Sequence, residues 1–584
     1  MNGTQANSNA YTVQTVKAAP PFDTSQDADI ILRTCDGQSF FVSKVILSLS
    51  SSVFRDMFSV PQPTSSITQQ SQSQPLPVIE ISDHSFPLDC LLRLCYPVAD
   101  PALFLAQDLD ICYRMAHKYE MSHCKDIIEQ KLHSFPLYSH ELPSYFAVAC
   151  RWELERAAQS LSSWMVPYRK YDAPGAKEAI PHPPWDFDEP HIGVKTLYRE
   201  VMRDIPAGAF QRLLHFLRRT AISGWIDDQP AMVSDAHRQL RAPESLVSLS
   251  FRAPARKGAP DLVLRTFDDV QFPAHSRIIS SASTLLDLAF VRSPNGISTA
   301  KPPVVDVAID STSLAPLLHI CYYISSEGSD SHYLPPSLSG LSLRQAERVY
   351  LQAVRHKVVR GREFMVARLK VDLFIHPLRV FLIAARLGLG EVASEAAVQV
   401  VHTNSAQTYD RELEDTEARH YFALLEFQER YLQTIVDLVH LEAEKRHLDG
   451  AALVKTAQAR WSEVCERMAG SAAGEVAQGP DAALEYVLSL AEPATKEKKS
   501  KKSSKVIAAR RETKKTVRPT RKSSRTVMPP PGKASLALAK VDSSFYSAFG
   551  DQLIASPSDQ LLTRIMQDHH RPQALYLCTF VAVV

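Results

Sequence analysis

Asp29-Ile30-Ile31-Leu32-Arg33-Thr34-Cys35-Asp36-Gly37 occurs a second time in this chain, as Asp261-Leu262-Val263-Leu264-Arg265-Thr266-Phe267-Asp268-Asp269. The register continues without a gap until Phe58 meets Phe290. Ten of the thirty pairs are identical (Asp29, Leu32, Arg33, Thr34, Asp36, Phe40, Ile46, Ser48, Ser51 and Phe58, each matched 232 residues on). Identity of that density at one shift marks an internal duplication. Ile30-Ile31-Leu32 is a short apolar run, Asp36-Gly37 is a turn pair that tolerates positive φ, and Phe40-Phe41-Val42 resumes the apolar run, so the stretch predicts a β-hairpin. A helix should follow, with Val45, Ile46 and Leu49 at helical spacing. Ser51 then fits the N-cap of a second helix whose face is Phe54, Met57 and Phe58.

Farther along, Pro77-Val78 to Cys95-Tyr96 matches Pro303-Val304 to Cys321-Tyr322 at a shift of 226. The drop from 232 places a six-residue length difference in the Gln-, Ser- and Pro-rich loop Ser59 to Pro77 and its counterpart. Val78 to Ile81 alternates like a strand and Phe86 to Tyr96 reads as a helix. Two further helices close each copy, Leu109 to Tyr119 and Cys124 to Phe135 in the first, Leu343 to Val358 and Arg362 to Phe374 in the second. Likeness persists beyond them: Phe146 to Arg151 resembles Phe381 to Arg386, and Leu213 to Phe216 resembles Leu424 to Phe427.

The run Phe272-Pro273-Ala274-His275-Ser276-Arg277-Ile278-Ile279-Ser280-Ser281-Ala282-Ser283 resembles the BTB/POZ signature. In that signature an aromatic, an Ala-His pair, a basic residue, two aliphatics and a Ser precede a helix ending in Met-Phe or Leu-Phe. The first copy fits through Phe40, Lys44, Ile46, Leu47, Ser51, Phe54, Met57 and Phe58, with Ser43 where the family has His. The second has the His but carries Ser276 at the basic position and Ala289 at the Met position. The resemblance implies an α/β (α+β) fold in two copies, each a small sheet capping a helical cluster, and the layout looks like the BTB proteins of fungi. The expected organisation is a disordered leader over 1–27, a BTB/POZ domain over 28–135 and a helical extension over 136–258 with a Pro-rich insert from Pro167 to Gly193. A second BTB/POZ domain over 259–374 and a second helical extension over 375–492 follow, including a long amphipathic helix from Ala418 to about His447. A basic disordered segment over 493–540 and a tail over 541–584 complete the chain.

Composition fits a soluble globular protein, with 45% hydrophobic and 22% charged residues. No run of 18 apolar residues occurs and the polar start lacks a signal-peptide pattern, so neither a membrane span nor a secretory leader is expected. Nine scattered cysteines without a C-x-x-C pair favour a reducing compartment, nucleus and/or cytoplasm. The net charge of +1 hides an asymmetry: Lys496 to Arg525 holds fourteen Lys or Arg against Glu497 and Glu512, leaving −11 for the remainder. Its clusters Lys498, Lys499, Lys501, Lys502 and Arg510, Arg511, Lys514, Lys515 have the composition of a nuclear localisation signal or of a polyanion-binding tail. No aromatics interleave with them, which argues against base-stacking on single strands, and with no recognisable zinc finger or helix-turn-helix in the chain, specific reading of nucleic acid is not expected.

Cys112, His117, His123 and Cys124 invite a zinc reading. Cys112 and His117 lie five apart on one predicted helix, roughly 140° apart around its axis, so ordinary helix packing is the expectation and no metal or cofactor is assigned. His275 lacks a partner nucleophile, and Ser43 in the other copy shows that the fold does without it, so it is read as structural. Walker, G-x-G-x-x-G, G-x-S-x-G and H-E-x-x-H patterns are absent, and no enzymatic activity is expected.

In BTB domains an acidic residue of the first strand and the basic residue after the His meet at a dimer seam. Carried over residue by residue, the resemblance implies Asp29 and Lys44 in the first copy and Asp261, beside His275 and Ser276, in the second. It implies protein partners and self-association, and the preferred geometry pairs the two modules of one chain through their high effective concentration. A cullin-type ubiquitin ligase is a further implied partner. The hydrophobic-x-Glu motif of such adaptors is, however, replaced by Gln62 and Thr64 in the first copy and by Pro294 and Gly296 in the second. A nuclear regulator using the basic segment is the third expectation.

Overall fold

Strand register is where the duplication becomes physical. In the computed structural model, which describes residues 16–24, 26–60, 76–103, 105–133, 141–166, 198, 200–223, 231–233, 249–285, 302–327, 338–460, 463–464 and 479–490, the chain divides into two units, residues 1–238 and 239–584.

In the first unit, strands β1 (Val16–Lys17), β2 (Ile30–Arg33), β3 (Gln38–Val42) and β4 (Val78–Glu80) form one sheet in the order β1-β3-β2-β4. β2 and β3 are the antiparallel hairpin, with Ile30 opposite Val42 and Leu32 opposite Phe40, and β4 joins β2 in parallel with Ile31 beside Val78. In the second unit, β5 (Leu262–Arg265), β6 (Gln271–Ala274) and β7 (Val304–Asp306) form a sheet in the order β6-β5-β7. Leu262 faces Ala274, Leu264 faces Phe272 and Val263 lies beside Val304. Every hairpin pair is displaced by the 232 of the sequence match, and β7 lies 226 residues after β4. The length difference therefore falls between β3 and β4 in the first copy and between β6 and β7 in the second.

The same side chains build each hairpin. Thr34 Oγ1 accepts from the Gln38 N–H and Thr266 Oγ1 from the Val270 N–H, both at 3.1 Å. The turn needs positive φ at its last residue, which Gly37 adopts at 82° and Asp269 tolerates at 61°. Leu32 and Leu264, Phe40 and Phe272, and Leu47 and Ile279 are buried pairwise beneath the two sheets.

Helices α1 (Lys44–Ser50), α2 (Ser52–Ser59), α3 (Ser85–Cys95), α4 (Ala106–Lys118) and α5 (Ser122–His133) complete the first module, and α6 (Leu142–Arg151) and α7 (Glu155–Trp164) begin its extension. Ser51 caps α2 as expected: its Oγ accepts from the Phe54 N–H at 3.0 Å and donates to the Tyr119 carbonyl at 2.5 Å. With both partners buried, Ser51→Ala should cost about 1–2 kcal/mol. Denaturant unfolding of the full chain checks this, and an unchanged midpoint would count against the cap.

Two expectations are corrected. The leader is not structureless to residue 27: β1 pairs in parallel with β3, and the Phe22 ring, 1% exposed, packs edge-on against Tyr96 at 5.2 Å. Two backbone pairs and one aromatic anchor hold a stretch too short to show periodicity. The inward residue of α1 is Leu47, whereas Val45 and Leu49 point outward. Residues 1–15, most of the loop Ser59 to Pro77, the insert Pro167 to Gly193, the second helix of the second copy to Phe290, and everything after 490 lie outside the described residues.

The second unit continues with helices Ser276–Ala282, Ser311–Glu327, Leu343–Arg355, Gly361–Val371, Pro377–Arg386, Gly390–His402 and Ala418–Lys445, followed by Gly450–Ala459 and Gly479–Ser489. An arginine at the end of the first extension helix marks the duplication beyond the module. Arg151 pairs with Asp110 at 2.8 Å and donates to the Val201 carbonyl at 3.1 Å. Arg386 pairs with Glu347 at 2.6 Å and donates to the Glu412 carbonyl at 3.2 Å. Among the described residues no helix is long and apolar enough to cross a membrane.

Candidate interaction surface

Asp29 and Lys44 are brought together by the hairpin, but through the backbone. The Lys44 N–H donates to Asp29 Oδ1 at 2.7 Å, so the carboxylate at the start of β2 caps the free amide end of α1. In the second copy Asp261 does the same for Ser276: Oδ1 accepts the amide at 2.6 Å and Oδ2 accepts the hydroxyl at 2.5 Å. Burial pushes the Asp261 carboxyl up, and the two Ser276 bonds outweigh it and hold it below the usual carboxylate range. The exchange of Lys44 for Ser276 thus removes a positive charge and adds a bond to the same acid.

His275 is buried with both ring nitrogens engaged, Nδ1 with the Tyr322 hydroxyl at 2.7 Å and Nε2 with the Gly258 carbonyl at 3.2 Å. Tyr322 also accepts from the His275 amide at 2.7 Å, as Tyr96 accepts from the Ser43 amide at 2.8 Å. A ring so tied orients the chain entering the helix and has no lone pair directed at a substrate. Cys112 and Cys124 are buried in the helical cluster, His117 lies against Trp152 at 5.6 Å, and His123 is exposed, so these four do not converge.

Sequence reasoning found Asp36, Asp268, Ser85 and Ser311 as matched pairs and missed what they do. Ser85 donates its amide to Asp36 at 3.1 Å and its hydroxyl at 2.6 Å, and Ser311 treats Asp268 alike at 3.0 and 2.6 Å. The hairpin turn is thereby tied to the start of the helix that follows β4 in the first copy and β7 in the second. Burial acts upward on Asp36, but its bonds from Ser85 and Thr34 prevail and bring its pKa down to about 2.

The outer face of α1 is apolar: Val45 is 65% and Leu49 78% exposed, one helical turn apart. The corresponding positions of helix Ser276–Ala282 are the exposed Arg277 and Ser281. The two copies share a scaffold and differ in what its outer helix offers.

A small sheet with the order β1-β3-β2-β4 over a cluster of five helices, presenting an apolar outer helix, defines an interaction module. The family model of the BTB/POZ domain matches residues 20–135, the part of the first unit holding this sheet and cluster except β1. That domain is a protein-interaction and self-association module. No curated protein matches the chain. The basic residues Lys498, Lys499, Lys501, Lys502, Arg510, Arg511, Lys514 and Lys515, and the adaptor-motif positions in both copies, lie outside the described residues.

Proposed function

We propose that this chain is a non-enzymatic interaction scaffold that self-associates through its first module. The observation that carries the reading is the exposed Val45–Leu49 face on the helix that Asp29 caps. Two apolar side chains left in water on a braced helix favour burial against a partner, at about 25 cal/mol per Å² covered. The second copy, by its repeated register and signature, is read as a second BTB/POZ module, whose Arg277 and Ser281 suit a polar partner. That asymmetry favours pairing between first modules of two chains over the pairing of both modules within one.

Sedimentation of the full chain tests this. The wild type is expected to be a dimer and Val45→Asp with Leu49→Asp a monomer, with dimer dissociation at least tenfold easier, because two charges on each chain would have to be buried. Arg277→Asp with Ser281→Asp should leave the dimer unchanged. A monomeric wild type, or a dimer lost only with the second pair, overturns the reading.

The charge of Lys496 to Arg525 supports a second reading, a nuclear or chromatin-associated regulator that uses this basic segment. Affinity purification from the native cell, with and without that segment, separates the readings. Import factors or chromatin proteins recovered only with the full chain favour the nuclear role, and a stoichiometric cullin in both samples favours a ligase adaptor.

A further inference from the structure

We infer that Cys35, Asp36 and His84 form a binding site for a borderline-soft divalent cation, Zn2+ in the first instance. Cys35 is the exposed one among the described cysteines. Its Sγ lies 3.7 Å from His84 Nδ1, and an Asp36 carboxylate oxygen stands with both atoms so that all three lie within 4.8 Å of one another. Zinc bonds of about 2.3 Å to sulfur and about 2.0–2.1 Å to nitrogen, opened at a tetrahedral angle, put the two ligand atoms roughly 3.6 Å apart. The thiol and imidazole therefore already stand at the edge length of a zinc tetrahedron.

The loops that carry these groups are braced. The Cys35 amide donates to the Asp83 carbonyl at 3.1 Å, and Ser85 holds Asp36 through its amide and hydroxyl. Asp36 Oδ2 accepts the Ser85 hydroxyl, and the Ser85 amide is shared between Oδ1 and Oδ2 at 3.1 and 3.2 Å; a carboxylate has about four lone-pair sites with which to accept further partners. Ser85 would act as the outer partner that orients the carboxylate.

The second copy serves as an internal control. It keeps the brace, with Ser311 on Asp268 and the Phe267 amide on the Ile309 carbonyl at 3.3 Å, but has Phe267 and Asp310 where the first has Cys35 and His84. Asp310 is turned to its own helix, accepting from Ser313 at 2.8 Å. The fold does not require a thiol beside an imidazole at this corner, so their juxtaposition in the first copy is separable from stability.

Charge favours the same conclusion. The site stands at the N-terminus of α3, whose dipole opposes a cation by about 1 kcal/mol or less. A thiolate and a carboxylate supply two negative charges that balance Zn2+, and binding releases the Cys35 thiol proton to solvent. Sulfur and imidazole nitrogen select zinc over magnesium or calcium. Three protein ligands leave the fourth position to water or to a ligand from a partner.

Zn2+ titration of the chelator-treated, reduced full chain against a chromogenic zinc chelator tests the site. Titration with Co2+ adds a readout, a thiolate-to-cobalt charge-transfer band. One equivalent is expected to bind, at least tenfold more weakly in Cys35→Ser and in His84→Gln, with metal-free melting unchanged because both side chains are exposed. On the wild type alone, Zn2+ should slow alkylation of Cys35 as read by mass spectrometry. Binding undiminished in both variants, or no protection of Cys35 at saturating Zn2+, overturns the site and leaves a thiol–imidazole hydrogen bond.

Discussion

Replacing Arg386 by alanine is expected to cost the second unit about 3–5 kcal/mol, the range for removing one partner of a buried ion pair. Its guanidinium has five N–H donors, and all five are engaged. Nε and Nη2 grip the two carboxylate oxygens of Glu347 at 2.9 and 2.6 Å, and Nη2 also reaches Glu412 Oε2 at 2.6 Å. Nη1 donates to the Glu412 carbonyl at 3.2 Å and the Thr416 hydroxyl at 3.0 Å. One side chain thus joins helix Leu343–Arg355 of the duplicated module to helix Pro377–Arg386 and the 3-10 turn Arg411–Leu413 of the extension.

The Glu412 side chain is 0% exposed. Burial alone would push its carboxyl up, yet Arg386 first and Arg379 after it outweigh burial and keep it below the usual glutamate range. Without Arg386 that carboxylate keeps an ion pair with Arg379 at 3.2 Å, and Glu347 loses a bidentate partner. Lysine cannot replace the planar fork, so Arg386→Lys should recover little. Denaturant unfolding of the full chain, with hydrogen exchange of peptides from 377–445 to assign the loss, measures the effect. A loss below about 1 kcal/mol would show that the network is not holding the extension. Replacing Arg386, Glu347 and Glu412 together by Met and Leu should restore most of the stability, because a buried ionic cluster contributes little net once its desolvation is counted.

What the sequence disclosed follows the range over which each interaction acts. The hairpin, its register and the Ser51 cap were legible because their determinants lie within a few residues, or repeat at a fixed shift that a two-residue period cannot slip without turning the core outward. The facing of α1 was not. Seven residues bury a single side chain, Leu47, and spacing among Val45, Ile46 and Leu49 cannot choose an inner side when the incoming hairpin sets the rotation. β1 was missed for a related reason, since Val16 and Lys17 are ordered by Gln38 and Ser39 of β3 and not by their neighbours. Asp29 and Asp261 were singled out by resemblance alone, and only coordinates show that their partners are amides fifteen residues on. Asp36 with Ser85, and Cys35 with His84, are separated by 49 residues, and no pattern in the chain links them.

His402 should make the second unit acid-sensitive, with roughly 3 kcal/mol of stability lost between about pH 6.5 and about pH 4. The ring ends helix Gly390–His402, is buried, and bonds through Nε2 to the buried Tyr431 hydroxyl of helix Ala418–Lys445 at 2.8 Å. A helix C-terminus favours an imidazolium by about 0.3–1 kcal/mol, but burial prevails and lowers the pKa from 6.5 to about 4. At about 1.4 kcal/mol per unit this gives the figure above. The sign follows from linkage: between those two values the unfolded chain takes up a proton that the folded ring refuses. Stability is therefore full above the unfolded value, falls as pH drops, and levels off below the folded one. His319 and His356 are also lowered by burial and act in the same direction, so the wild-type slope alone does not isolate His402. The difference from His402→Gln does, because glutamine keeps a polar partner for Tyr431 and does not titrate. Between pH 7.5 and 4 the wild-type unfolding free energy should fall by roughly 3 kcal/mol relative to that of His402→Gln, and parallel curves would mean that His402 is protonated in the folded state or reached by water.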